Sequence, residues 1–255
     1  MEQPLPEPLP LPVGPPAEPI VFNPQARVCL DCAVRRHALF GVLDARTLQD
    51  IHWRIADLSF TPGQPVFIGG ESGQAAYTVR EGMVRLERLS ERGECHIVRL
   101  AGRGDLIGME ALLGQTYATT AVACTPVKLC RLPRALVEEL EQQDGHLAHG
   151  LMARWQRALD DTDEWLTELL SGSARWRMLR LLLKLSEYGE GEGRIWLPTR
   201  QEMGAMLGMT VETASRLVSQ LKREGVLQAD GGRHAVLAMG ALMAALRAEA
   251  HTVRG

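Results

Sequence analysis

The chain has 255 residues, a formal net charge of −3, and 45% hydrophobic and 23% charged residues. These values are ordinary for a globular protein of one to three domains. No run approaches the roughly 20 apolar residues that cross a bilayer, and the N-terminus lacks the basic and apolar stretches of a secretory signal. We therefore exclude a membrane-spanning protein and expect a cytoplasmic location. In that reducing compartment the five cysteines are expected to be buried, metal-bound or redox-active, without structural disulfides.

The N-terminal segment up to residue 24 contains nine prolines and neither Lys nor Arg. Such a composition buries too little apolar surface to offset the entropy of ordering, so the sequence predicts a disordered tail over residues 1–24. The next segment carries Cys29 and Cys32 in a Cys-x-x-Cys pair, then His37, and is predicted to end in a helix that begins near Asp44.

Short apolar runs punctuated by glycines fill the region from Leu58 to Leu132. Short strands with closely spaced turns are typical of a small all-β barrel or roll. We therefore predict one domain over residues 25–135, which consists of the cysteine-bearing segment and this roll.

A helical period replaces this pattern over residues 136–171. Apolar and small residues recur there at alternating spacings of four and three, which is a heptad stripe: Leu151, Trp155, Ala158, Thr162, Trp165 and Leu169. A long stripe on a helix between two domains favours a dimer seam, so we predict a homodimer.

The C-terminal domain, predicted over residues 172–255, contains a helix-turn-helix pattern from Thr199 to Leu227. Thr199 and Glu202 have the spacing of a capping box that starts the first helix. Gly208 supplies the left-handed residue that a sharp turn needs. The segments 226–229 and 234–237 flank an Asp-Gly-Gly-Arg turn, which predicts a β-hairpin wing with an edge that faces phosphate.

The outer face of the second helix has the side chains that read a DNA major groove. Arg bonds to guanine, Glu accepts from cytosine, and Ser takes either role. This region also has more Lys and Arg than Asp and Glu, which suits phosphate neutralisation. We predict contacts with double-stranded DNA from Thr199, Arg200, Thr210, Val211, Glu212, Ser215 and Arg216. The alternative is an ordinary amphipathic hairpin with a solvated face.

A β-roll, a long helix and a C-terminal winged helix, in that order, resemble the CRP/FNR superfamily of bacterial transcription regulators. The roll motif around Gly63, Gly82 and Gly104-Asp-Leu-Ile-Gly108 and the Val211–Arg216 sequence also match. The resemblance implies an α+β fold with a cyclic-nucleotide-binding-like roll, a dimerisation helix and a winged helix-turn-helix. In the FNR branch the Glu-x-x-Ser-Arg motif reads TTGAT half-sites in an inverted repeat, and RNA polymerase is an implied partner.

The same resemblance implies an oxygen-labile [4Fe–4S] cluster. Cys29 and Cys32 match part of the cysteine cluster of the FNR branch, and Cys130 matches its remote ligand. Ala38 stands where the next cysteine is expected, so the fourth ligand is open. Cys124 and His37 are the favoured candidates, with Cys95 and Asp31 as further ones. A thiol switch, haem or another small ligand in the roll remain alternatives.

Cyclic AMP is not favoured as the ligand of the roll. Cyclic-AMP-binding relatives place an arginine against the cyclic phosphate, because that anion needs a fixed cation. Here Gly108-Met-Glu110 is followed by Tyr117-Ala-Thr-Thr120, without an arginine. An enzyme is not favoured either, because the predicted roll contains only His96 where a metal cupin needs several histidines.

Four acidic residues crowd one turn of the predicted dimer helix: Asp160, Asp161, Asp163 and Glu164. If they meet across a symmetric interface, their repulsion weakens the dimer unless the sensor compensates for it. The alternative is a solvated acidic face.

Overall fold

The computed structural model describes residues 39–43, 47, 51, 54–143, 145–189, 191 and 193–252. The predicted tail, the predicted helix start near Asp44, and the predicted ligands Cys29, Cys32 and His37 lie outside these residues, as does Asp31. No helix within the described ranges is long and apolar enough to cross a membrane.

Eight strands form the β-roll, as the sequence predicts. They are β1 Ala56–Phe60, β2 Pro65–Phe67, β3 Ala75–Glu81, β4 Val84–Leu89, β5 Cys95–Ala101, β6 Leu106–Ile107, β7 Thr120–Ala123 and β8 Val127–Pro133. Two four-stranded antiparallel sheets have the orders β1-β8-β3-β6 and β2-β7-β4-β5. Inward-facing residues of both sheets form one apolar core, which includes Leu58, Val79 and Leu129. A short 3-10 helix, Met109–Leu113, connects β6 to β7.

Two helices follow the roll, α1 Arg134–Gln143 and α2 Gly145–Glu164, and a π-helical turn continues α2 over Trp165–Leu169. The first helix packs its apolar face under the roll through Leu136, Val137 and Leu140. The 3-10 helix Leu39–Val42 belongs to the same cluster and contacts α2. Residues 39–42 therefore contact both the roll and α2.

The C-terminal domain is a winged helix. Its helices are α3 Ala174–Glu187, α4 Arg200–Leu207, α5 Val211–Arg223 and α6 Met239–Thr252. The wing strands β10 Leu227–Ala229 and β11 His234–Leu237 pair with β9 Arg194–Trp196 in the order β10-β11-β9. The hairpin agrees with the sequence prediction, whereas β9 was not predicted because a three-residue strand has no measurable period.

The winged helix packs directly against the roll. One hydrophobic cluster contains Met83, Ile97 and Leu100 of the roll together with residues of α3 to α6. At its edge Arg85 Nη1 of β4 lies 3.3 Å from Glu202 Oε1 of α4. The two domains therefore share a core as well as a charged contact.

The structure divides the predicted dimer stripe into buried and exposed positions. Trp165 and Leu169 are 6% and 3% exposed and belong to the core of the winged helix. Leu151 and Ala158 pack against the cluster below the roll. The chain's own core thus covers Trp165 and Leu169, whereas Leu151 and Ala158 stay half-buried. The apolar face that remains exposed is shifted around the helix, and we call it the outer stripe: Met152, Trp155, Leu159, Leu166 and Leu170, with Thr162 between them.

The acidic turn of the predicted dimer helix is also divided by the structure. Asp161 pairs with Arg99 of β5 at 3.5 Å, and Glu164 pairs with Lys184 of α3 at 2.8 Å. Asp163 stays exposed and lies on the outer stripe, four residues after Leu159 and three before Leu166. Asp160 is also exposed, and it accepts from Gln156 Nε2 at 2.8 Å. The repulsion hypothesis therefore no longer applies to Asp161 and Glu164, and Asp163 is the acid that lies on the outer stripe.

Candidate nucleic-acid interface

The first helix of the helix-turn-helix, α4, starts with the predicted capping box. The Thr199 hydroxyl accepts from the Glu202 amide at 3.2 Å, and the Glu202 carboxylate accepts from the Thr199 amide at 2.6 Å. Gly208 ends the helix in the left-handed region with φ 59°, as predicted. These caps fix both ends of an eight-residue helix that is too short to be stable alone.

The two helices meet at small residues. A Cβ on Gly204 would lie 2.7 Å from the Met209 carbonyl oxygen, so only glycine allows this turn to close. Ala214 of α5 is fully buried on the inner side of the turn. The start of α5 is fixed separately, because the Thr210 hydroxyl accepts from the Thr213 amide at 3.2 Å.

The predicted base-reading residues project from the exposed face of α5. Val211 is 46% exposed, and Glu212, Ser215 and Arg216 are also exposed. Hydrogen bonds from its own backbone amide and from the Thr210 side chain lower the pKa of Glu212, which keeps the carboxylate ionised as an acceptor. Within the described ranges Arg216 has no ion-pair partner. All four side chains are therefore available to one ligand surface.

The other predicted contacts have roles within the domain. The Thr199 hydroxyl acts as the cap of α4. The Arg200 guanidinium Nη1 lies 3.7 Å from the Met203 sulfur, and burial lowers the pKa of Arg200. On the wing, Arg233 turns inward, where it bonds the Glu202 carboxylate and lies 4.7 Å from the centre of the Trp196 ring. The wing edge thus has less free positive charge than the sequence predicts.

The sequence did not predict the residues that connect the helix-turn-helix to the roll, the wing and α3. Glu202 contacts Arg85 of the roll and Arg233 of the wing in addition to its capping role. Arg177 of α3 donates to carbonyl oxygens at the end of α4. These partners are distant in sequence, and no local pattern identifies them.

The sensor side contains the predicted ligand Cys130, which lies on β8 and is half-buried. Its sulfur is 3.5 Å from Asp57 Oδ1 of β1, and Asp57 pairs through its other oxygen with Arg80. Cys130 packs on the cluster that also contains Leu39 and Phe40. The chain thus brings the segment that follows the Cys-x-x-Cys pair to the cluster of the remote cysteine.

The structure does not bring Cys124 to Cys130. Cys124 is 2% exposed, follows β7 in the other sheet, and packs in the cluster shared with the winged helix. Burial raises the pKa of its thiol to about 12. The prediction of Cys124 as a ligand beside Cys130 is therefore corrected: spacing in sequence hid the fact that β7 and β8 belong to different sheets.

The remaining thiol, Cys95, belongs to an exposed residue on β5, and partial burial of the thiol raises its pKa. Among the described residues, no three His, Cys, Asp or Glu side chains are grouped to hold a metal.

The interior of the roll holds a stack of aromatic rings. Tyr117 stacks on Phe67 with ring centres 4.1 Å apart, and Phe67 lies 5.8 Å from Tyr77. The Tyr117 hydroxyl donates to the Ala75 carbonyl at 2.8 Å, and burial raises the pKa of Tyr77 to about 12. Glu110 stands where cyclic-AMP-binding relatives have a glutamate near the nucleotide. Here its carboxylate accepts from the Ala118 amide at 2.9 Å. Aromatic side chains therefore fill this part of the roll interior, and the Glu110 carboxylate already accepts a hydrogen bond from the chain itself.

A β-roll packed on a winged helix-turn-helix whose second helix has an exposed polar face is the architecture of a DNA-binding regulator. Comparison with known proteins agrees: residues 57–144 match the cyclic nucleotide-binding domain family, and residues 177–245 match the Crp-like helix-turn-helix domain family. The chain belongs to the CRP/FNR family of transcription regulators and is not an enzyme.

Individual relatives place the chain more closely. It is 32% identical over 219 residues to the transcriptional activator protein FnrL of Cereibacter sphaeroides, covering 82% of this chain and 87% of that protein. It is 34% identical to the cyclic AMP receptor protein of Thermus thermophilus, over 68% of this chain and 80% of that protein. Among solved structures, FixK2 of Bradyrhizobium japonicum superposes with a TM-score of 0.64 at 27% identity, covering 72% of this chain and 92% of that chain.

Proposed function

We propose that the protein is a cytoplasmic regulator of the FNR type, which senses oxygen or redox state through a [4Fe–4S] cluster. The observation that supports this most is the packing of Cys130 on the cluster that contains Leu39, seven residues after Cys32. A chain of seven residues spans up to about 25 Å when extended. Cys32 can therefore reach the Cys130 thiol, and so can Cys29, which is further along the chain from Leu39. Thiolates are the ligands that such clusters require.

The fourth ligand in this proposal is His37, two residues before Leu39. Cys124 is replaced because its thiol lies in the other apolar cluster, with a raised pKa that opposes the thiolate form. When bound, the cluster supplies an oxygen-sensitive group that joins the N-terminal segment to β8. Leu39 and Phe40 hold the chain that follows the proposed ligands against α2, in the apolar cluster that also contains Leu147.

The cysteines give a direct test. Anaerobically purified protein should contain iron and sulfide and absorb in the visible range, and air should bleach it. Cys130→Ser and Cys29→Ser should both remove this absorbance while the helical circular dichroism is kept. Cys124→Ser is the matched control, since it changes a cysteine with no place in the proposed site, and it should keep the absorbance. A colourless wild-type protein, or loss of colour in folded Cys124→Ser, would contradict the assignment.

We further propose that two copies of the chain bind an inverted repeat of TTGAT-like half-sites. Glu212, Ser215 and Arg216 have the identity and spacing of the FNR-branch motif and share one exposed face of α5. Two such faces in a symmetric dimer meet half-sites one helical turn apart. The outer stripe of α2 is the proposed dimer seam, and RNA polymerase is the proposed partner of the bound complex.

Binding of duplexes tests this part. Anaerobic protein should prefer the inverted repeat to a scrambled duplex of equal length and salt by about a thousandfold or more, and air should reduce the preference. Equal affinity for the two duplexes in every redox state would refute the proposed specificity.

A second candidate keeps the DNA function but has a small ligand or a thiol in place of the cluster. The similarity to the Thermus cyclic AMP receptor protein supports it. A colourless anaerobic protein that still prefers the inverted repeat would favour this candidate.

A further inference from the structure

The turn between α4 and α5 sets the direction in which the base-reading face points. Only Gly208 and Met209 separate the end of α4 from Thr210, which caps α5. The last carbonyl groups of a helix have no partner within it and need donors from elsewhere. The group that satisfies the carbonyls at this turn therefore influences the angle between the two helices.

That group comes from outside the helix-turn-helix. Arg177, in the first turn of α3, donates through Nη1 to the Leu207 carbonyl at 2.5 Å, and the same nitrogen lies 3.5 Å from the Gly208 carbonyl. Its Nε is buried and has no hydrogen-bond partner within the described ranges. The guanidinium is thus held between α3 and the turn. A fixed cation at a helix C-terminus also interacts favourably with the helix dipole.

We propose that Arg177 is a positioning residue for base reading, which holds the α4–α5 turn at the angle that lets Glu212, Ser215 and Arg216 reach one half-site together. This inference is based on the proposed DNA function. It also gives a path from sensor to DNA, because α3 follows the π-helical turn Trp165–Leu169 after four residues. Displacement of α3 moves the guanidinium and the turn together.

Lysine is not an equivalent of arginine at this position. The rigid, planar guanidinium holds Nη1 in a fixed direction toward both carbonyls, whereas an ammonium is a flexible point charge. Arg177→Lys therefore keeps the charge and loses the geometry, and Arg177→Gln loses both. Arg180 is the matched control on the same helix, because it pairs with Glu168 of the π-helical turn at 2.7 Å and does not bond the α4–α5 turn.

The experiment measures the affinity of anaerobic full-length protein for the inverted repeat and for a scrambled duplex of equal length. In Arg177→Gln and Arg177→Lys the affinity for the repeat should fall about tenfold or more, which is what one misplaced base contact costs. Affinity for the scrambled duplex and the thermal midpoint should change little. Arg180→Gln and Arg180→Lys should keep the wild-type ratio of the two affinities.

Hydrogen exchange provides a readout that needs no DNA. The amides from Met209 to Thr213 should exchange faster in both Arg177 variants than in wild type or the Arg180 variants. Unchanged exchange together with an unchanged affinity ratio would overturn the inference, and so would equal losses on both duplexes. Unfolding of both Arg177 variants would also overturn it, because Arg177 would then be a stability residue. If wild type itself shows no preference, the proposed specificity fails while exchange still decides the role of Arg177.

Discussion

Arg216 presents an exposed guanidinium near the start of α5, without an ion-pair partner among the residues described by the structure. Such a group is free to bond guanine O6 and N7 together. Arg216→Ala should weaken binding to the inverted repeat by about 1–3 kcal/mol per half-site, measured by titration at fixed salt. Arg223, exposed in the last turn of the same helix, is the control.

Arg223→Ala should change the affinities for the repeat and the scrambled duplex to the same extent, because any phosphate contact that an exposed arginine makes is independent of sequence. If both variants lose the same affinity on both duplexes, Arg216 does not contact a base.

Gly204 shows how one residue determines the packing of the helix-turn-helix, α4 and α5. Alanine favours a helix over glycine by up to about 1 kcal/mol, but here a Cβ would lie 2.7 Å from the Met209 carbonyl oxygen. Gly204→Ala should therefore lower the free energy of unfolding by about 1–3 kcal/mol. At Gly240 of α6 nothing lies within 4 Å of the added Cβ. Gly240→Ala should leave stability unchanged or raise it, and denaturant titration distinguishes the two signs.

At the scale of the element, α2 illustrates why a stripe in sequence does not identify an interface. The helical period predicts which positions share a face, and of the predicted positions Trp155 and Thr162 are exposed on the outer stripe. It does not tell which of several adjacent apolar faces is covered by the same chain. The winged helix buries Leu169 at one end of the predicted stripe, and at the other end Leu151 packs half-buried against the cluster below the roll.

The outer stripe is the apolar surface that α2 and the turn after it leave for a partner. Leu159 and Leu166 are 54% and 55% exposed. Leu159→Ser combined with Leu166→Ser should shift the protein to monomers in analytical ultracentrifugation with little loss of monomer stability. Leu169→Ala should instead cost about 2–5 kcal/mol of folding free energy, because it opens a cavity in a core. A double serine variant that stays dimeric would exclude this seam.

At the scale of the whole molecule, the charges of α2 connect the sensor, the seam and the winged helix. Asp163 lies on the outer stripe, and a symmetric dimer brings two copies of its carboxylate near each other. Asp163→Asn should tighten the dimer by roughly two- to fivefold, as expected for removal of an exposed like-charge pair. Sedimentation in air, where the proposed cluster is absent, measures this change.

Asp161→Asn is the contrasting variant, because Asp161 pairs with Arg99, which is 9% exposed. Loss of that partner removes the 3.5 Å ion pair of a buried cation and should cost about 1–3 kcal/mol of stability, with no gain in dimer affinity. Equal effects of the two variants on the dimer would show that the whole acidic turn faces the partner.

Much of the reading head follows from sequence because its determinants are local. Capping pairs three residues apart, a glycine at a left-handed turn and a hairpin turn act within a few residues, and each appears as the pattern predicts in Thr199, Glu202 and Gly208. Glu212, Ser215 and Arg216 likewise lie within about one helix turn, so their spacing alone places them on one face.

The tertiary structure decided what depends on contacts between distant segments. It separated Cys124 from Cys130 by placing their strands in different sheets, covered Trp165 and Leu169, and brought Arg177 to the turn of the reading head. Periodicity specifies a face of an element, whereas the docking of elements depends on shape and charge summed over the whole chain. For that reason the sequence determined which residues share the outer face of α5, and only the fold decided which surfaces remain free and which side chains hold them in place.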